Sequence, residues 1–154
     1  QVDLMDAASL QNTAVGDEYC DSLSCLHTLE HFGLGRYGDP INPHGYIKGM
    51  QNMARLLRIG GKLYLSTPIG KERVEFNANW VFDPRTILNS AKKFGLELNS
   101  LTIFRPSLGV EISRFDEATL DVLAQQSYNL GIFTFTKIAN SKSIGLSSGE
   151  QPSL

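Results

Sequence analysis

Residues 25–40 read CLHTLEHFGLGRYGDP. The stretch starts apolar, passes through His27-Thr28-Leu29-Glu30-His31, and runs over glycines 33, 35 and 38 to Asp39-Pro40. Three readings compete for it. It is a metal site, a loop at the end of a sheet strand, or a plain turn after a buried strand. Its neighbours on either side decide among them.

Upstream, Ser22–Leu26 is a short apolar run with alternating small residues, which predicts a buried strand. Downstream, residues 33–45 hold four glycines and two prolines and read as a loop. Tyr46–Arg58 then shows helical spacing, with Ile47, Met50, Ala54 and Leu57 on one stripe. Gly60-Gly61 are expected to stop that helix, because glycine accepts the left-handed backbone that ends helices. Lys62–Thr67, KLYLST, follows as a strand expected to be covered on both faces, and Pro68 closes it.

Further out, Asp83-Pro84 pairs a side-chain cap with a residue that has no amide hydrogen to lose, so a helix starts there. Ile87, Leu88, Ala91 and Phe94 make its buried face and Gly95 its stop. Leu96–Phe104 is a strand, Asp116–Gln126 a helix with Leu120, Leu123 and Ala124 inward, and Ile132–Ile138, IFTFTKI, an alternating strand. Toward the start, Val2–Met5 reads as the end of another strand. Such alternation predicts an α/β layered sheet, mostly parallel in its centre, with an antiparallel edge from the last two strands. Residues 1–138 form the domain, and residues 139–154, rich in Ser and Gly, form a flexible tail.

Composition narrows the class. Hydrophobic residues make up 42% of the 154 and charged residues 19%, which is globular rather than disordered. The formal charge of −2 comes without a basic run, so a nucleic-acid footprint is not expected. No apolar run approaches the length of a membrane span. Cys20 and Cys25 lie an odd number of residues apart, which sends them to opposite faces of a strand. Two reduced thiols and a cytoplasmic setting are the expectation. The chain opens on Gln1 and Val2 with no polar leader, and is read as a piece of a longer protein.

In an open α/β sheet, ligands bind beyond the carboxyl ends of the strands. That rule selects residues 6–10, 27–45 and 67–80. The second segment also contains His27-x-x-Glu30-His31, the H-x-x-E-H pattern of inverted zinc peptidases, with Glu111 as a third ligand. The zinc reading needs a helix carrying both imidazoles on one face, and Gly33 and Gly35 would break it within a turn. The strand-end reading instead places Thr28–Phe32 as one helical turn beyond the strand, with Glu30 and His31 at the rim of a cleft.

CDSLSCLHTLEHFGLG (residues 20–35), followed by a helix and MARLLRIGGKLYLSTP (residues 53–68), resembles the second half of class I S-adenosylmethionine-dependent methyltransferases. In that family the fourth strand ends in an L-E-H run. The fifth strand carries the pattern in which Leu57, Gly60, Gly61, Leu63, Leu65 and Pro68 stand. EHFGLGRYGDP and the later FNANWVFDPRTI are similar to an uncharacterised branch, a domain family of unknown function. The resemblance covers residues 1–138. It implies a Rossmann-like sheet, a methyltransferase activity and S-adenosylmethionine as cofactor of the full-length protein. The family's glycine-rich cofactor loop and the acidic residue that ends its second strand are not in this chain.

By this resemblance Asp6, Ala7, Leu26 and His27 line the cofactor. His31 is the first candidate for a base, since an imidazole titrates near neutrality, and Asp39 is the second. Glu30, Arg36, Tyr37, Asn77 and Asn79 line the acceptor, expected to be a hydroxyl-bearing small molecule or sugar. Trp80 reads as core or as a wall of that pocket. The sheet lacks its missing half, so an exposed edge is expected to favour self-association. A non-catalytic remnant of the fold, and a nucleotide-sugar or nicotinamide enzyme of the same layered class, are the alternatives.

Overall fold

The computed structural model describes residues 16–35, 40–75, 78–105, 107–113 and 115–139. The expected strand at Val2–Met5 and the tail from residue 140 lie outside them. The chain builds β1 (Cys20–Leu26), a 3-10 turn (Leu29–His31), α1 (Gly45–Leu56), β2 (Leu57–Ile69), β3 (Arg73–Val74) and β4 (Trp80–Val81). It continues through α2 (Pro84–Lys93), β5 (Leu96–Arg105), β6 (Gly109–Ser113), α3 (Glu117–Gln125) and β7 (Asn129–Lys137). The main sheet has the order β1-β2-β7-β5-β6, and β3 and β4 form a two-stranded ribbon.

The layered α/β class holds, but the strand directions correct the expectation. Among the described strands of the main sheet, β1 and β2 alone run parallel. The β2–β7, β5–β7 and β5–β6 pairs are all antiparallel. A parallel neighbour needs a helical crossover, and α1 supplies the one between β1 and β2. After β5 the chain turns back directly into β6 over a hairpin that residue periodicity did not reveal.

Burial follows the pleat. Cys25, Leu65, Phe133 and Leu101 sit in one register row across four strands and are all buried. They form one core with Met50, Met53 and Ala54 of α1, Ile87 and Ala91 of α2, and Leu120 and Leu123 of α3. The row on the other face, Ser24, Tyr64, Thr134 and Ser100, is partly to fully exposed. The two-sided cover expected for KLYLST is only partial: Leu63, Leu65, Ser66 and Thr67 are buried, whereas Lys62 is half-buried and Tyr64 exposed, and β1 is a margin of the described sheet. Burying one face alone gives the alternation read from IFTFTKI, where buried and half-buried residues alternate along β7.

Two stop signals act differently from expectation. The helix α1 ends at Leu56, because Leu57 is already extended at φ −79° and ψ 135°. The glycines come later, inside β2, where pairing with β1 jumps from Leu57 to Lys62. Gly60 takes φ +85°, and a side chain on Gly61 would lie 2.8 Å from the Arg58 carbonyl oxygen. The Gly-Gly pair thus turns the chain within a bulge that aligns β2 with β1. Pro68 does not end β2, which reaches Ile69. The Asp83 cap is as expected, its side chain accepting from the Arg85 amide at 2.8 Å. No helix among the described residues is long and apolar enough to cross a membrane.

Candidate strand-end site

The site is built where β1 and β2 finish side by side. Leu26 pairs with Ser66 at the end of the parallel ladder. His27 then takes φ +51°, a left-handed backbone uncommon outside glycine, which swings the chain out of the sheet. Its amide is held by the Ser66 carbonyl at 3.0 Å and by Ser66 Oγ at 3.2 Å. Thr28 Oγ1 donates back to the Leu26 carbonyl at 3.0 Å.

The 3-10 turn that follows is the single turn expected over Thr28–Phe32. Its anchors are Leu29 and Phe32, both fully buried. Phe32 fits against Gly49 of α1, where a side chain would approach its ring to 2.4 Å. With Leu29 and Phe32 fixed, Glu30 is carried inside at 2% exposure. Its Oε1 lies 3.2 Å from His27 Nδ1, and its Oε2 accepts from Thr67 Oγ1 at 3.3 Å. A buried carboxylate without such partners would cost several kcal/mol (~2–7 for even a neutral polar group). Glu30 was expected to contact the acceptor. In the structure it is buried and has two intramolecular partners, His27 and Thr67.

His31 points elsewhere. Its Nδ1 donates to the Ala78 carbonyl at 2.9 Å, 47 residues along the chain. This bond ties the turn after β1 to the segment between β3 and β4. In the same segment Asn79 Nδ2 donates to the Trp80 carbonyl at 2.8 Å, so this side chain closes its own loop. Trp80 packs as core against the rings of Tyr46 and Phe82, at centroid distances of 5.8 Å each. Burial raises the Tyr46 hydroxyl, with the Glu72 charge adding to it.

Gly33 and Gly45, at the two ends of the 33–45 segment, come into contact. Gly33 has φ +79°, and a side chain there would meet the Asn42 carbonyl oxygen at 1.9 Å. A side chain on Gly45 would come within 2.6 Å of Gly33 Cα. Gly33 therefore serves a backbone crossing rather than a ligand cradle. Leu26 stays 60% exposed on the uncovered sheet face, beside the His27 side chain at 49%. Cys25, on the buried face under Glu30, has its thiol pushed up to about 12, by burial first and by the Glu30 charge second. It is a packing residue, and both cysteines are free thiols.

Of the expected site residues, the structure brings Leu26, His27, Glu30 and His31 to one strand end, with Asn79 in the segment that His31 holds. Asp6, Ala7, Arg36, Tyr37, Asp39 and Asn77 lie outside the described residues. Ser66 and Thr67 were not singled out from sequence. Their signal was a polar pair at the end of an apolar strand, just before Pro68.

The zinc arrangement is not built. The two imidazoles do not share a helix face, and they bind Glu30 and a backbone carbonyl respectively. Glu111 lies on β6 at the opposite margin of the sheet, paired with Arg105 at 3.4 Å. Among the described residues, no three His, Cys, Asp or Glu converge.

The sheet and its helical layer form an α/β Rossmann-like fold of the methyltransferase type. The [4+2]-cyclase SpnF matches with a TM-score of 0.57 at 11% identity, over 90% of this chain and 57% of that one. Geranyl diphosphate C-methyltransferase from Streptomyces coelicolor A3(2), solved with Mg2+, geranyl diphosphate and S-adenosyl-L-homocysteine, matches at 0.57 and 10% identity, over 84% and 50% of the two chains. A Haemonchus contortus phosphoethanolamine N-methyltransferase 2 matches at 0.56 and 14% identity, over 84% and 36%. The chain spans 57% or less of the length of these three structures. At the level of sequence, residues 3–89 match the model of the family described as Caenorhabditis protein of unknown function, DUF268, and the chain belongs to that family. No curated protein matches it.

Proposed function

We propose that this chain is the C-terminal part of an S-adenosylmethionine-dependent methyltransferase whose acceptor meets the strand-end site of β1 and β2. The observation that carries the reading is the pairing of a methyltransferase-type sheet with a built polar cluster at its strand ends. His27, Glu30, Ser66 and Thr67 are held there by bonds between two parallel strands. A sheet of this class uses that end for ligands.

The residues present fit one wall of a cofactor cleft. Leu26 offers an exposed apolar side chain there, next in sequence to the half-exposed His27. Asp6 and Ala7 are proposed to complete that wall. The bound cofactor would supply an electrophilic methyl group on a sulfonium. The chain's own task is then to position the acceptor and exclude water from it. His31 and Asn79 shape the acceptor side by fixing the segment between β3 and β4, and Arg36, Tyr37, Asp39 and Asn77 are proposed to complete it.

Titration calorimetry with S-adenosylhomocysteine on the longest natural form of the protein tests the reading. Saturable binding supports it. No heat at high protein concentration refutes it.

A further inference from the structure

We propose that His27 is the proton acceptor of this site, held in one tautomer by the buried Glu30, and that the methyl acceptor is a group that must lose a proton. An alcohol, a phenol or a protonated amine fits that description. The identity of the reaction rests on the methyl-transfer reading, whereas the geometry of the pair does not.

Two local choices in the sequence work against stability and are explained by such a pair. One is a non-glycine residue with a left-handed backbone at His27. The other is a carboxylate at a position that is 2% exposed, in a three-residue turn next to the fully buried Leu29. Sites where local rules are broken without a packing gain are where function is expected. The left-handed turn folds the His27 ring back onto Glu30 three residues later, at 3.2 Å.

A carboxylate only accepts hydrogen bonds, so in this pair Nδ1 of His27 is the donor, and in the neutral ring Nε2 keeps its lone pair. Nε2 lies across the ring from Glu30, and the side chain is half-exposed. Thr67 donates to the second carboxylate oxygen and stops Glu30 from turning away. Glu30 is thus a positioning residue, and His27 the group that meets the acceptor. His31 differs in kind, because its Nδ1 is spent on a backbone carbonyl that ties two loops together.

In the step itself, the acceptor's proton moves to Nε2 and its electron pair stays on the oxygen or nitrogen. That pair bonds the sulfonium methyl carbon as the carbon–sulfur pair leaves with sulfur. The imidazolium then returns its proton to water.

The test needs no known acceptor. Nitrogen-15 spectra of the neutral histidines are expected to show His27 protonated at Nδ1. Diethylpyrocarbonate is expected to modify His27 at Nε2 several-fold faster than the exposed His44, read peptide by peptide. Glu30→Gln is expected to abolish that advantage, whereas Asp83→Ala, which weakens the fold at the start of α2 without touching the pair, retains it. A wild-type His27 protonated at Nε2 overturns the proposal, as does a modification rate that Glu30→Gln leaves unchanged in a folded protein. If Glu30→Gln does not fold, the wild-type tautomer decides alone. Failure to bind S-adenosylhomocysteine would instead remove the methyl-transfer reading and leave the tautomer result standing.

Discussion

Thr67 Oγ1 reaches Glu30 Oε2 at 3.3 Å across 37 residues of sequence, joining the end of β2 to the turn after β1. Both residues are buried, so the bond has no water to replace it. Thr67→Val keeps the shape and removes the donor. It is expected to lower unfolding free energy by about 1.5–3 kcal/mol, the range for a hydrogen bond to a charged group. Thr67→Ser keeps the hydroxyl and is expected to lose less. Denaturant melts of the two variants check the order.

The crossing of Gly33 and Gly45 leaves no room for a methyl group. Gly45→Ala would place its Cβ 2.6 Å from Gly33 Cα and N, against backbone that a rotamer change cannot move. A loss of about 1–3 kcal/mol is expected, as for overpacking elsewhere. Amide exchange should quicken in residues 33–35 and 42–47 before it does in β7.

Cys25 gives the fold an alkaline limit. Its folded value is raised from 9.0 to about 12, so the folded state holds the thiol proton more tightly than the unfolded chain. The resulting stability is complete below pH 9.0 and is lost as pH rises toward about 12, at up to ~1.4 kcal/mol per pH unit. Cys25→Ala should remove that pH dependence, so its deficit relative to wild type should shrink across the window. In the native protein an alkylating reagent should label the half-buried Cys20 before Cys25.

The start of α2 depends on one carboxylate. Asp83 Oδ1 accepts from the Arg85 amide at 2.8 Å, with Pro84 in the first turn. Asp83→Ala should cost about 1 kcal/mol, measurable as a lowered midpoint in urea with the slope unchanged.

The parts of this fold that could be read from sequence are those set by local chemistry. Asp83-Pro84 started a helix because cap and proline act within one turn, and IFTFTKI alternated because one sheet face is buried. The turn after β1 could be placed because an apolar strand met a polar run. Strand direction was not legible, since it depends on which strands become neighbours. β7 inserts between β2 and β5, a long-range choice that no window of residues encodes. Gly60-Gly61 misled for a related reason. The same left-handed preference serves a helix cap or a bulge, and only pairing with β1 decides between them. At the site, His27 and Glu30 were visible as residues, but their partnership was not. It required Leu29 and Phe32 to bury the turn, and Ser66 and Thr67 to arrive from β2.

The central question is whether the end of β1 meets a ligand. The direct measurement is a titration of the longest natural form of the protein with S-adenosylhomocysteine, followed by backbone amide shifts. Saturable shifts centred on Leu26, His27 and Thr28, with the β5–β6 hairpin unmoved, are the predicted result. Binding that shifts the hairpin and leaves His27 unmoved, or no shifts at all, would contradict it.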